Sequence, residues 1–336
     1  MEEGITIVLD SNEVLSGVCG VNDQNLKVIA GCLGGHIRTR GNEVSITGLD
    51  EDGQDRFRTV IDSLINSVKE GECPSAEYVE ALTGIFAQPG QPDRADQTED
   101  SFQNKITGRN SLAALRDNVI QIPQGFVKVF PRSQNQAQYI RGMRENEISF
   151  SVGPAGTGKT YLAIAEALRL VLSKKMRKLV LTRPVVEAGE SLGYLPGDLA
   201  QKINPYLRPL YDAMEAIVPY DAIRHLEDTR SIEIAPLAYM RGRSLNDCVV
   251  ILDEAQNTTK EQMKMFLTRI GRGARAVITG DTTQIDLPGR VDSGLLHALS
   301  LLKGVEGIFI TYLNTADVVR NPLIKKIIEA YDAEKK

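Results

Sequence analysis

Residues 147–161 read Glu147-Ile148-Ser149-Phe150-Ser151-Val152-Gly153-Pro154-Ala155-Gly156-Thr157-Gly158-Lys159-Thr160-Tyr161, and the order of residue types in this stretch decides the fold. A short apolar run with β character comes first. A glycine-rich octet follows that fits G-x-x-x-x-G-K-[ST] without a mismatch, and helical spacing then runs through 160–172. Strand, phosphate loop and helix in that order mark a P-loop nucleotide-binding fold. The glycines let the backbone curl until several N–H groups face one anion at the positive end of a helix. Lys159 is expected to contact the β- and γ-phosphates of ATP, and the Thr160 hydroxyl to coordinate Mg²⁺. A turn without a ligand would have no need of Lys and Thr at those two places.

Working outward, apolar runs at 147–152, 178–182, 231–235, 248–252, 274–279 and 307–311 alternate with helical stretches, notably 160–172 and 260–270. Runs of this kind suit strands buried on both faces, and the alternation predicts an α/β fold with a mainly parallel sheet. Two of the runs end in polar residues. Residues 248–256, CVVILDEAQ, deliver Asp253 and Glu254 at the C-terminal end of a strand, where open α/β sheets bind ligands. Asp253 is expected to help hold Mg²⁺, and Glu254 to orient and deprotonate an attacking water. Alone, a strand ending in two solvated acids is commonplace. Downstream of a phosphate loop it points to hydrolysis rather than phosphoryl transfer to a second substrate. Residues 276–284, AVITGDTTQ, end on the same edge, where Gln284 is placed to sense the γ-phosphate.

At 336 residues, with 42% hydrophobic and 25% charged side chains, the composition is that of a globular protein of about two domains. A net charge of −5 argues against coating nucleic acid by bulk electrostatics but leaves room for a local basic groove. Four scattered cysteines and three histidines show neither disulfide nor metal-ligand spacing. The acidic N-terminus does not resemble a signal peptide, and no apolar run is long enough to span a bilayer. A cytoplasmic location without membrane attachment is expected.

Residues 5–70 predict a small α+β module in the order β-α-β-β-α. A strand at 5–9 is followed by a helix at 22–33, a hairpin of 36–40 and 43–47 about Gly41-Asn42, and a helix at 55–68. From Ala87 to Asn110 the chain turns polar and rich in Pro, Gly, Asp and Gln, which reads as a linker. The expected organisation is a module at 1–86, a flexible linker at 87–117 and an ATPase domain at 118–336.

The segments GPAGTGKTYLA, LTRPVVEAGESLGYLPGD, NPYLRPLYDA, APLAYMRGRSLND, ILDEAQNTT, QMKMFLTRIG, TGDTTQIDLP and DVVRNP resemble the PhoH family of bacterial ATPases across 120–330. The resemblance implies a RecA-like core similar to one half of a superfamily 1 helicase, with an N-terminal KH-like module. It implies an adenine-reading role for Gln136, which otherwise reads as a surface glutamine on a helix. Arg320 corresponds to a late arginine that stabilises charge on the transferring phosphate, within its chain or across a subunit boundary. The family commonly has His next, whereas this chain has Asn321.

Arg183, in Thr182-Arg183-Pro184, lies where helicase relatives contact a single strand, and Arg241 and Arg243 are further candidate nucleic-acid contacts. Lys174, Lys175, Arg177 and Lys178 form a basic cluster that also reads as a solvated face. Gly17-Val18-Cys19-Gly20 formally fits the G-x-x-G loop with which KH domains clamp a nucleic-acid backbone.

The function implied is Mg-dependent ATP hydrolysis coupled to remodelling, unwinding or processing of single-stranded RNA. The alternative is an ATP-dependent switch or scaffold that recruits a protein such as an rRNA-maturation endoribonuclease. A single core in place of a helicase's two implies a homo-oligomer, with a hexameric ring as its form.

Overall fold

The structure is a computed structural model and describes residues 4–87, 117–184, 199–288 and 291–318. These fall into two compact units, one drawn from 1–119 with 130–137 and the other from 120–129 with 138–336. The linker expected at 87–117 lies, apart from its two end residues, outside the described residues.

The first unit is α+β, with two helices more than the sequence predicted. Strand β1 (Gly4–Val8) is followed by helices α1 (Asn12–Cys19) and α2 (Gln24–Leu33), then β2 (His36–Arg40) and β3 (Glu43–Thr47). Helices α3 (Glu51–Lys69) and α4 (Ala76–Ala87) complete it. The three strands form an antiparallel sheet in the order β1-β3-β2. Gly41, with φ of +62°, supplies the left-handed conformation that the tight β2–β3 turn requires. Helices α1 and α3 start at side-chain caps: Ser11 accepts from the Val14 N–H and Asp50 from the Gly53 N–H. Val44 and Ile46 of β3 pack with Ile29, Phe57, Ile61, Leu64 and Leu82 in one core.

The G-x-x-G expectation needs correction. Gly17 lies inside α1, where an added Cβ would come within 2.8 Å of Val68, and Val18 and Cys19 are buried. The four residues are therefore the packed end of a helix and do not present themselves as a loop.

The second unit begins with a two-stranded ribbon, β4 (Ile120–Gln121) with β5 (Lys128–Val129). Helix α5 (Gln134–Glu145), which starts among the first unit's residues, leads to β6 (Ile148–Val152), α6 (Lys159–Leu172), β7 (Lys178–Arg183) and α7 (Leu199–Glu215). Then come α8 (Tyr220–Asp228), β8 (Ile232–Pro236), β9 (Cys248–Leu252), α9 (Lys260–Leu267), β10 (Arg275–Gly280), α10 (Gly294–Leu301) and β11 (Ile308–Tyr312). Strands β6 to β11 form one parallel sheet in the order β11-β6-β10-β9-β7-β8. Each lies within a residue or two of the run expected from sequence.

The sheet has a core on each face. Leu179, Leu181, Val249, Ile251 and Val277 pack with α6, α7 and α8, while Val180, Val250, Leu252 and Ile278 pack with α9 and α10. Successive side chains of a strand alternate between these cores, so the face that a residue just past a strand addresses follows from its parity. That parity positions the site.

Candidate nucleotide site

Strand β6 runs straight into the glycine-rich loop. Gly156 and Gly158 adopt φ of +82° and +81°, the left-handed region open to glycine without steric cost. Gly153 is excluded from carrying a side chain by proximity, since a Cβ there would stand 2.4 Å from the Leu313 carbonyl oxygen. The buried Thr157 hydroxyl donates to the Pro154 carbonyl at 2.9 Å and closes the curl. Lys159 opens α6, and its ammonium donates to the Gly153 and Pro154 carbonyls at 2.6 and 2.7 Å, inside the loop. Behind it the Tyr139 hydroxyl donates to the Lys159 carbonyl at 3.4 Å, and burial pushes that phenol's pKa up. It therefore stays a protonated donor.

Asp253 follows β9 with the parity of Val249 and Ile251 and so faces α6. Its Oδ1 accepts from the Thr160 and Thr279 hydroxyls, each at 2.7 Å. Strict alternation would send the next residue to the opposite face. Glu254 instead takes φ of +53°, a conformation that costs a non-glycine residue on the order of 1–3 kcal/mol. The turn brings a second carboxylate into the same cleft.

There Glu254 is held from two sides. Oε1 accepts from Arg183 Nη2 at 2.7 Å, and Oε2 accepts from Gln256 Nε2 at 2.5 Å. Gln256 is itself buried, and its Oε1 accepts from the Asp281 N–H at 3.0 Å. Asp281 Oδ2 in turn accepts from Gln284 Nε2 at 2.7 Å. A chain of hydrogen bonds thus runs from the carboxylate after β9 to the glutamine after β10. Residues 155, 156 and 158–161 line one cleft with Arg183, Pro209, Ala213, Asp253, Glu254, Gly280, Asp281 and Gln284, around a volume of about 310 Å³.

Lys159, Thr160 and Tyr161 of the phosphate loop thus meet Asp253, Glu254 and Gln284 in one cleft. Gln136 belongs to the first unit's residues, where it is buried and its Oε1 takes the Arg132 N–H at 2.7 Å. Arg320 lies outside the described residues. Arg241 is exposed beyond a 3₁₀ turn at Leu237–Met240. Arg243 is no free cation: it grips Glu233 through two bonds of 2.6 and 2.8 Å, and Lys178 shares the same carboxylate at 2.5 Å.

Arg183, expected on a nucleic-acid surface, sits in the nucleotide cleft. Parity would have found it, because Leu179, Leu181 and Arg183 share the face that Val249, Ile251 and Asp253 share. Thr279, Gln256 and Asp281 were also missed. Thr279 follows Val277 by the same rule, whereas Gln256 becomes visible only once the left-handed turn at Glu254 is known.

A family model described as PhoH-like protein matches residues 128–332. A PhoH-like protein of Bacillus subtilis is 43% identical over 324 residues, covering 96% of this chain and 95% of its own. One from Mycobacterium tuberculosis is 42% identical over 319 residues, covering 95% and 85%. Protein PhoH of Escherichia coli is 40% identical over 229 residues, covering 68% of this chain and 63% of its own.

Among solved structures, a Pif1 helicase from Candida albicans aligns with 54% of this chain and 39% of its own, at 15% identity and a TM-score of 0.29. A Sulfolobus solfataricus SWI2/SNF2 ATPase core aligns with 53% and 44%, at 15% identity and 0.32. Nothing further is drawn from likenesses so loose. No helix among the described residues is long and apolar enough to cross a membrane. The breadth and level of the sequence matches place this chain in the PhoH-like protein family.

Proposed function

We propose that the chain binds ATP with Mg²⁺ in this cleft and hydrolyses it. The observation that carries the reading is the meeting of the phosphate loop with two carboxylates of different surroundings. Asp253 is buried and bound by two hydroxyls, as suits a residue that helps hold a hard cation by oxygen ligands. Glu254 is more open and held at its edge, as suits a residue that faces water.

Thr160 and Asp253 would hold the Mg²⁺, which when bound neutralises charge on the β- and γ-phosphates. Gly153–Thr160 would cradle the phosphates with backbone N–H groups, and Lys159 would exchange its carbonyl partners for phosphate oxygens. Glu254 orients the water and takes its proton, while Gln284, which lies on the cleft wall, would sense the γ-phosphate. Adenine reading by Gln136 and charge stabilisation by Arg320 remain part of this reading as the family resemblance implies them.

The turnover is proposed to serve RNA: remodelling, unwinding or processing of single strands by a homo-oligomer, a hexameric ring in its simplest form. Support comes from the family resemblance, which implies a likeness to superfamily 1 helicases and an N-terminal KH-like module. The one RecA-like sheet among the described residues also suits subunits that complete each other's sites.

The test is steady-state ATP turnover by the full chain with and without single-stranded RNA. The reading expects RNA to accelerate turnover. No response to RNA, with acceleration by an rRNA-maturation endoribonuclease, would favour a nucleotide-dependent switch or scaffold instead.

A further inference from the structure

Among the described residues that line the cleft, Arg183 and Lys159 are the cations, and the Arg183 side chain is only 19% exposed. Its Nη2 donates to Glu254 Oε1 at 2.7 Å, its Nη1 donates to the Tyr206 carbonyl at 3.1 Å, and its Nε lies 3.8 Å from Asp253 Oδ2. The guanidinium is thus fixed at two corners, one on helix α7 and one on the carboxylate proposed to handle the water. Glu254 has its other oxygen fixed by Gln256. A carboxylate has about four acceptor positions, so one bond on each oxygen orients the group and still leaves lone pairs for a water.

Side chains that are long, charged and on a left-handed turn have many alternative rotamers. Losing one of two flanking donors would release Glu254 into them. Arginine suits the task better than lysine, because its planar fork can hold Glu254 and the Tyr206 carbonyl at once.

We propose that Arg183 is a positioning residue for hydrolysis: it fixes the Glu254 carboxylate toward the water and ties it to helix α7, and it is not a contact for nucleic acid. The inference rests on the hydrolytic role of Glu254 given above. It adds that α7, which contributes Pro209 and Ala213 to the cleft wall, is mechanically joined to the water-handling carboxylate through a single side chain. A displacement of α7 would reach Glu254 without passing through the phosphate loop.

The experiment compares wild type, Arg183→Gln, Arg183→Lys, Glu254→Gln and the double variant Arg183→Gln/Glu254→Gln. It measures RNA-free ATP turnover and equilibrium binding of a non-hydrolysable ATP analogue, with thermal melts as a check on folding. Arg183→Gln is expected to lower kcat about 10- to 100-fold while KM and analogue affinity change less than about threefold. Arg183→Lys is expected to recover part of the loss, since it restores the bond to Glu254 alone.

In the Glu254→Gln background, removing Arg183 should cost little more, because the two act as a unit. A merely structural role would lower both backgrounds alike and would overturn the proposal. So would an Arg183→Gln protein with wild-type RNA-free turnover, whether or not it lost RNA affinity. If Glu254→Gln itself turns over at the wild-type rate, the hydrolytic reading of Glu254 falls and the inference falls with it. If Glu254→Gln is impaired and Arg183→Gln is not, the inference alone falls.

Discussion

The Thr160 hydroxyl donates to Asp253 Oδ1 at 2.7 Å across 93 residues of sequence, joining the end of the phosphate loop to the residue that follows strand β9. Thr279 holds the same oxygen from β10 at 2.7 Å. The two contacts set the spacing between loop and carboxylate, which would preorganise them for the proposed Mg²⁺.

Asp253→Asn keeps the size of the side chain and removes its charge. It is expected to lower Mg-dependent turnover by about 100-fold or more while the fold persists, because the hydroxyl donors still find an oxygen. A titration of turnover against Mg²⁺ checks this, and the variant should need a markedly higher Mg²⁺ concentration for its residual rate.

Lys159→Ala removes the ammonium that lies within the curl of the loop, on a residue that is 9% exposed. Loss of a charge-assisted contact to phosphate predicts ATP binding weakened by about tenfold or more. Titration with a fluorescent nucleotide measures it. Two carbonyl contacts go with the ammonium, but neither lies in a hydrophobic core, so the melting temperature should change by only a few degrees.

A pH effect on stability is expected far from the cleft. Glu233 takes two bonds from Arg243 and one from Lys178, and these hold its carboxyl at about 2 against an ordinary value of 4.5. With the folded pKa depressed, the contribution is fully present above about pH 4.5 and is lost as pH falls toward 2. The partners are 22–32% exposed, so solvent screening limits the contribution to roughly 1–3 kcal/mol. Chemical denaturation of Glu233→Gln should show that deficit at neutral pH, and the gap to wild type should close as pH falls below about 4.

The parallel sheet and its phosphate loop were legible because both depend on local residue types. Continuous apolar runs mark buried strands, and Gly, Lys and Thr at fixed offsets mark the loop. Asp253 and Glu254 were legible for the same reason, as acids at a strand's end. The first unit was less so. Helix α1 is only eight residues long, and its glycines at 17 and 20 resemble a loop until the packing of Val18 and Cys19 is seen.

Arg183 reads as a nucleic-acid contact from its motif position, and the parity of its strand adds its place beside Glu254 in the cleft. Arg243 reads as a candidate nucleic-acid contact, whereas the turn after β8 folds it back onto Glu233, ten residues earlier on that strand. Gln256 depends on a backbone twist at Glu254 that residue identity alone does not announce. Strand register supplies the place of Arg183, and the turns after β8 and β9 supply those of Arg243 and Gln256.

Hydrolysis of ATP through Glu254 is decided by one comparison. Phosphate release from Mg-ATP is measured for wild type and Glu254→Gln beside equilibrium ATP binding for both. The account predicts that wild type releases phosphate and that Glu254→Gln binds ATP with near wild-type affinity but releases phosphate about 100-fold more slowly or worse. Release by Glu254→Gln at the wild-type rate would contradict it.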